Sequence, residues 1–383
     1  MVRLIVITLI ASAFFSSTYI LNELMSNVGG HWFWSASLRY LFTLLILTLV
    51  IAAQHGMRRI GELWRLFTDH WIFWILTGSI GFGVFYAGLC YAADHVSGWV
   101  VAATFMFTVV ASLLVLMAFG HRFHKKLIAY AALLLLGVIL VNLSEALSAP
   151  AGMIIDIPLS HVVLYGALPC LIASFSYPIG SQLVWQASYN ARVINSQRAN
   201  QAQKISQLQF WSVDSDFQPL TTLAPRIISL NMADYFYENN CVIESQPLPQ
   251  SKLSRAISLI PSIDTKLLRN SFNKVWLMTL GSAPFWFVLA AVVQPELPDI
   301  LQITNTLVVA LLSGVIATSL FLFARERAQT SSEVAGVDAT QASEVIFALI
   351  GGMVFLNNPM PSFIGLTGIA VIMIGLILFA KNG

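Results

Sequence analysis

Three polar side chains interrupt a long apolar run near the C-terminal end of the sequence. Asp338, Gln341 and Glu344 are spaced by three residues inside the run Val334–Leu356, and in a helix this spacing places them along one slanted stripe. Glu344 falls near the middle of the run, where a charge costs ~2.5 kcal/mol or more unless it is paired or hydrated. A carboxyl group in an apolar environment holds its proton more tightly than in water. The stripe therefore predicts a site that exchanges a proton for a cationic substrate.

Two alternatives stay open for this stripe. Glu344 could be locked in a structural ion pair, and Asp338, which lies one turn from the cytoplasmic end of the run, could reach water or cap the helix.

Further polar groups occur in two other apolar runs. Hydroxyl and amide groups cluster late in the first run and again around Tyr177-Pro178 in the sixth, where the proline is expected to weaken or kink the helix. We expect these groups to face the same cavity as the stripe. The predicted substrate- and proton-binding residues are Glu344, Asp338, Gln341, Ser16, Tyr19, Asn22, Tyr177 and Gln182.

An acid and a base also lie near the outer ends of the first two runs. Glu23 ends the first run and Arg39 lies about seven residues into the second. Pairing of opposite charges lowers the cost of placing each in the membrane. The sequence thus predicts an intramembrane ion pair of Glu23 and Arg39, with a structural or gating role favoured over substrate contact.

Apolar helices must position all of these groups. The 383 residues are 57% hydrophobic and only 10% charged, whereas a soluble protein carries about a quarter charged residues. Most of the surface must therefore face lipid, and the net charge of +2 does not indicate a nucleic-acid partner. Ten apolar runs, most of about the 20 residues that a transmembrane helix needs, lie at 4–25, 32–53, 71–93, 96–119, 127–143, 159–186, 274–294, 300–324, 334–356 and 362–380.

Positive charges are confined to alternate loops. Arg and Lys occur near both termini, in the loops after the second, fourth and eighth runs, and in a long polar segment after the sixth. Cytoplasmic loops are the ones that carry an excess of Lys and Arg. This distribution predicts a multi-pass protein of the cell inner membrane with both termini in the cytoplasm. The loops without any Lys or Arg lie near 26–31, 94–95, 144–158, 295–299 and 357–361.

The two halves of the chain show a weak internal repeat. Phe15 and Ser16 match Phe175 and Ser176, and Gly83-Val84 in the third run matches Gly314-Val315 in the eighth. Because each half has an odd number of helices, the halves would insert with opposite topology, as in many transporters. The predicted fold class is an all-α integral membrane protein with ten transmembrane helices in two inverted-topology five-helix repeats. The units are 1–143 and 159–383, the second interrupted by a polar cytoplasmic insertion at about 187–271.

The repeat bears on the acidic stripe. In the fourth run, the positions that correspond to Asp338, Gln341 and Glu344 hold apolar residues. A carboxylate with a purely architectural role would be expected in both halves, so its presence in one half favours a binding role for Glu344. The insertion, in contrast, begins with a segment rich in Gln, Asn and Ser at 195–201, which predicts local disorder.

Several blocks resemble a known transporter family. Glu344-Val345-Ile346-Phe347-Ala348 resembles the ninth-helix Glu-Pro-Val-x-Ala pattern of the EamA-like branch of the drug/metabolite transporter superfamily, without the proline. Three blocks are similar to the bacterial ten-helix multidrug-resistance efflux transporter family, namely FNKVWLMTLGSAPFW (272–286), LLSGVIATSLFLFAR (311–325) and VDATQASEVIFAL (337–349). The resemblance extends over the chain except roughly 188–256, and it implies export of drugs.

The leading hypothesis is a transporter that exports small organic, cationic or amphipathic compounds by proton antiport, with Glu344 as the proton and substrate carboxyl. The alternatives are a metabolite exporter of the same superfamily and a non-transporting scaffold that acts through the insertion. No catalytic pattern or metal-ligand spacing is recognised in the sequence, so neither an enzyme nor a metal site is predicted. The expected partners are a small-molecule substrate and the lipid bilayer, with a homodimer left open. The proton gradient is expected as the energy source, without a cofactor.

Overall fold

The computed structural model describes residues 2–119, 125–147, 158–210, 257, 259–263, 266–327, 337 and 340–382. Within these ranges the regular structure is entirely helical, which confirms the predicted all-α class. Eight helices are long and apolar enough to cross a membrane, and two shorter apolar helices, Thr340–Phe355 and Phe363–Leu378, correspond to the ninth and tenth runs.

The helices follow the apolar runs, with one short amphipathic helix, α3, added after the second. They are α1 Val2–Asn27, α2 Trp32–His55, α3 Met57–Asp69, α4 Trp71–Ala93, α5 Gly98–Ala118, α6 Lys125–Leu147, α7 Leu159–Phe210, α8 Ser271–Val293, α9 Ile300–Arg327, α10 Thr340–Phe355 and α11 Phe363–Asn382.

Each membrane helix has one face toward the protein and one face available to lipid. In α2, Ala36, Tyr40 and Thr43 are buried, whereas Leu41 and Leu45 on the opposite face are about half exposed. Since lipid is as apolar as these side chains, their exposure costs little in a bilayer. What holds the helices together is close packing of small residues and hydrogen bonding between polar side chains.

Two helices depart from regular α-geometry at positions that the sequence repeat relates. Ser79–Val84 in α4 and Ala310–Ala317 in α9 are π-helical, and they contain the matched pairs Gly83-Val84 and Gly314-Val315. A third π-helical segment, Val162–Ala167, lies near the start of α7. Pro178 was expected to weaken or kink the sixth helix, but helical structure continues through it.

Cross-helix contacts give the relative directions of the helices. Helices α6 and α11 are antiparallel, since Gly137 lies against Gly368 whereas Ser144 lies against Gly365. By the same test α2 runs parallel to α9, because Gln302 donates to Ser35 at one end and Gly314 contacts Thr43 further along. Both directions are those expected for helices that cross the membrane alternately.

Several helices of the first half pack against helices of the second half. Helix α1 packs against α9 and α10, and α7 packs against α4 and α5. Helix α2 packs against α8 and α9, and α8 also packs against α4. The pairs α5–α10 and α6–α11 are in contact as well.

The start of the insertion is helical. Helical structure in α7 continues without interruption to Phe210, so the expectation of disorder at 195–201 is wrong. The chain returns to the same helix further on, because Asn190 donates to the carbonyl of Ile260 and Ile263 N–H donates to the carbonyl of Ala187. Residues 211–256 lie outside the described residues.

Candidate functional site

Helix α10 carries Glu344 and lies alongside α1 in the same direction. Ser12 Oγ donates to the carbonyl of Thr340 at 3.0 Å, and Ile20 packs against Gly351 further along both helices. Glu344 therefore lies level with the middle part of α1, between its residues 12 and 20. Because the first span is 25 residues long, Arg3–Asn27, this level is near the centre of the helix bundle.

Glu344 is a buried acid without a strong partner. Its relative exposure is 8%, and it lies in the first turn after the short 3-10 segment Thr340–Ala342. Within the part of the chain that the structure describes, its carboxyl group makes no hydrogen bond or salt bridge. Tyr19 of α1 interacts with it electrostatically. The structural ion pair that remained open for this residue is therefore not seen among the described residues.

Tyr19 connects the acid to a second charged group. The tyrosine is buried and interacts electrostatically with Arg39 of α2 as well as with Glu344. Arg39 donates from Nη1 to the Thr18 hydroxyl at 3.2 Å, and its guanidinium carbon lies 4.1 Å from the centre of the Tyr86 ring. The centre of the bundle thus holds a carboxyl group and a guanidinium group that both interact electrostatically with one phenol.

Further aromatic side chains pack next to the Tyr86 ring that the guanidinium contacts. Tyr40 stacks on Phe82 at 5.2 Å and on Trp286 at 5.8 Å between ring centroids, and it meets Tyr86 edge to face. Asn22 Nδ2 donates to the Tyr86 hydroxyl at 3.2 Å. Sequence reasoning missed these rings. A phenol in an apolar run needs a hydrogen-bond partner when buried, and that rule could have singled out Tyr86.

The predicted ion pair of Glu23 and Arg39 is wrong. Glu23 accepts hydrogen bonds from Gly98 N–H and from Asn358 Nδ2, both at 2.7 Å. The first amides of a helix lack intrahelical partners and attract a carboxylate, and Gly98 begins α5. Glu23 is therefore held at the end of the bundle, while Arg39 binds Thr18, which lies five residues before Glu23 in α1.

A second carboxylate accepts hydrogen bonds at the start of the same helix. Glu145 accepts from both the N–H and the hydroxyl of Ser97, at 3.0 and 2.6 Å, and the Ser26 hydroxyl donates to Asp94 in the loop before α5. This end of the bundle is tied together by acids bonded to polar hydrogens, and it contains loops that lack Lys and Arg.

The remaining predicted residues have different surroundings. Asn22 joins the central cluster through Tyr86, and buried Ser16 donates to the carbonyl of Ala13 in its own helix. Gln341 is half-buried in the short 3-10 segment, and Asp338 lies outside the described residues. Tyr177 is 42% exposed, with its ring against Phe85.

Gln182 is buried on α7, and among the described residues its Nε2 has no hydrogen-bond partner. It lies just beyond the crossing of α7 with α4. The described ranges contain no group of three or more His, Cys, Asp and Glu side chains that could hold a metal ion. The groups that the structure places at the centre are a carboxyl group that can release or take up a proton, and a cation.

Comparison with known proteins places the chain among transporters. The matching family model is EmrE, described as "Putative multidrug resistance efflux transporter", and the match covers residues 2–382. The chain is 28% identical over 392 residues to "Uncharacterized protein YjlA" of Bacillus subtilis (strain 168), across 98% of this chain and 94% of that protein.

A further relative is the "Uncharacterized 42.1 kDa protein in intracellular alkaline protease 3'region" of Shouchella clausii. It is 26% identical over 331 residues, which are 83% of this chain and 64% of that protein. Neither relative's name states a substrate, so the substrate class has to be inferred from the residues of the site.

Proposed function

The chain belongs to the EmrE family of multidrug resistance efflux transporters, and from this premise we propose that it is an inner-membrane permease that exports small organic, cationic or amphipathic compounds in exchange for protons. The family match confirms the resemblance that the three sequence blocks indicated. The apolar helices and the family together make the chain a multi-pass membrane protein.

Ten crossings in two inverted five-helix halves are the architecture of this proposal. Its support is a set of three contacts between the halves, each of which is matched by an equivalent contact when the helices of one half are exchanged for those of the other. The exchange turns the contact α1–α9 into α7–α4, α1–α10 into α7–α5, and α2–α9 into α8–α4. A pseudo-twofold axis in the membrane plane has this effect, and in many transporters such an axis passes near the substrate site.

The proposal rests chiefly on the burial of Glu344 without a cationic partner among the described residues. An acid in an apolar environment without a charged partner favours its protonated form. A cationic substrate that enters beside it displaces the proton, because one carboxylate compensates one positive charge. The proton and the substrate then cannot be bound to Glu344 at the same time, and this mutual exclusion is the requirement for antiport.

The side chains around Glu344 support a transport path through the bundle centre. Tyr19 interacts electrostatically with the acid, and the ring cluster of Tyr40, Phe82 and Trp286 offers apolar faces to an organic cation. Aromatic faces attract such cations. The π-helical segments in α4 and α9 are of a kind frequent at functional sites, and in this proposal they are the parts of the two halves that move.

Everted membrane vesicles test the proposal with ethidium and tetraphenylphosphonium as probes. We expect Glu344→Gln to insert normally but to lose protonophore-sensitive uptake and substrate-induced proton release, because the amide cannot exchange a proton. Glu344→Asp keeps the carboxyl group and should retain part of the activity. Glu62→Gln, on the exposed side of α3, is the matched control and should behave as wild type. Full activity of Glu344→Gln would exclude the proposed role of this residue.

A further inference from the structure

Arg39 is a cation on the protein side of a membrane helix. Its neighbours on the same face of α2, Ala36 and Thr43, are buried, whereas Leu41 and Leu45 on the other face are exposed. Arg39 itself is half-buried. Its face of the helix therefore points into the bundle and not toward lipid.

The groups around Arg39 are uncharged. It donates a hydrogen bond to Thr18, and its guanidinium lies over the ring of Tyr86. Tyr40 and Cys90 interact with it electrostatically. Among the described acids none forms a salt bridge with it: Glu23 is bonded to Gly98 and Asn358, and Glu344 makes no contact with it.

Among the described residues, the guanidinium charge is therefore only partly compensated. A guanidinium has five N–H donors, and Thr18 accepts from one of them. The ring of Tyr86 adds a cation–π contact. A charge inside a membrane protein ordinarily pairs with an opposite charge or marks a substrate pathway. With the Glu23 pairing excluded, the second role is the one that fits Arg39.

We infer that Arg39 binds the carboxylate of the transported compound, so that the preferred substrates are zwitterions. The planar guanidinium matches a carboxylate with two parallel hydrogen bonds. The inference rests on the proposed function, in which Glu344 binds the positive group of the same molecule. Tyr19 interacts electrostatically with both residues, and the stacked rings of Tyr40 and Trp286 receive an apolar or aromatic part of the substrate.

Three probes that each contain one phenyl ring distinguish the contribution of the positive charge from that of the carboxylate. Phenethylamine carries only the cation, 3-phenylpropionate only the carboxylate, and phenylalanine carries both. Calorimetric titration of the purified full-length protein in lipid nanodiscs should give tighter binding of phenylalanine than of either singly charged probe. In Arg39→Gln, phenylalanine and 3-phenylpropionate should bind roughly tenfold or more weakly, because a charge-assisted pair is lost. The affinity for phenethylamine should change by less than about twofold.

Two further variants show whether the role of Arg39 is one of binding. Arg39→Lys keeps the charge but loses the two-pronged geometry, so its affinity for the carboxylate probes should be intermediate. Glu344→Gln should weaken the binding of phenethylamine and leave the affinity for 3-phenylpropionate unchanged. An equal loss for all three probes in Arg39→Gln, or no binding of either carboxylate probe to wild type, would overturn the inference. Proton-coupled uptake of ethidium is measured separately, so that its absence would count against the proposed function alone.

Discussion

At the level of single residues, the structure separates two acids that look alike in the sequence. Glu344 is buried at the level of the bundle centre without a salt bridge or hydrogen bond among the described residues, whereas Glu23 accepts two hydrogen bonds of 2.7 Å at the end of the bundle. A carboxylate whose oxygens are both satisfied contributes to stability, and a buried unsatisfied one costs free energy. A buried, unsatisfied carboxylate in a membrane protein is retained where it has a function.

Replacement of Glu23 by Ala should therefore destabilise the fold. The change leaves the Gly98 N–H and the Asn358 amide without their acceptor, and we expect the free energy of unfolding to fall by ~1–3 kcal/mol. Unfolding in detergent, followed by tryptophan fluorescence, measures this. The control is Glu62→Ala, which removes only surface contacts to Arg58 and Arg59 at 3.4 Å and should cost at most ~1 kcal/mol. Equal effects of the two changes would contradict a stabilising role for Glu23.

At the level of elements, close helix crossings depend on small residues. Helices α4 and α7 meet at Gly81 and Gly180, where a Cβ atom added to Gly81 would lie 2.9 Å from the Gly180 Cα atom and 2.8 Å from the Met278 Cε atom. Such distances are well inside normal contact, so the two backbones approach because neither residue has a side chain.

The Gly81→Ala variant should therefore be destabilised, although alanine is the better helix former. Overpacking costs ~1–3 kcal/mol, more than the ~1 kcal/mol that alanine gains in a helix. Gly61→Ala in α3 is the matched control, because nothing lies within 4 Å of an added Cβ there. The midpoint of thermal unfolding in detergent should fall for the first variant and stay equal or rise for the second. A fall of the same size in both would show that the crossing is not tight.

At the level of the whole molecule, the helix directions agree with alternate crossing of the membrane. Hydrogen bonds join four loops at one end of the bundle, and these are among the loops that lack Lys and Arg. The bonded pairs are Ser26–Asp94, Trp34–Glu296, Gln302–His31 and Asn358–Glu23. Positive loops are retained in the cytoplasm. The end that contains Glu296 is therefore expected outside the cytoplasm, and the insertion after α7 inside.

Labelling with a membrane-impermeant maleimide tests this orientation. Cys241 in the insertion should react in everted vesicles but not in intact spheroplasts, and Cys90 and Cys170 should not react because both are buried. A Glu296→Cys substitution on a Cys241→Ser background should show the reverse pattern, and the Cys241→Ser protein alone is the blank. Reaction of Cys241 in intact spheroplasts would show the opposite orientation.

The sequence by itself determined the helical class, the positions of most membrane helices and the residue at the centre of the candidate site. These features could be predicted because hydropathy, charge distribution and the position of Glu344 within its run are local properties of the chain. Only the tertiary structure decided which polar groups meet. Glu23 and Arg39 both belong to the outer halves of adjacent helices, yet rotation of α1 and α2 about their axes directs one to Gly98 and Asn358 and the other to Thr18 and Tyr86. Those rotations are set by the packing of the neighbouring helices, and no single segment contains that information.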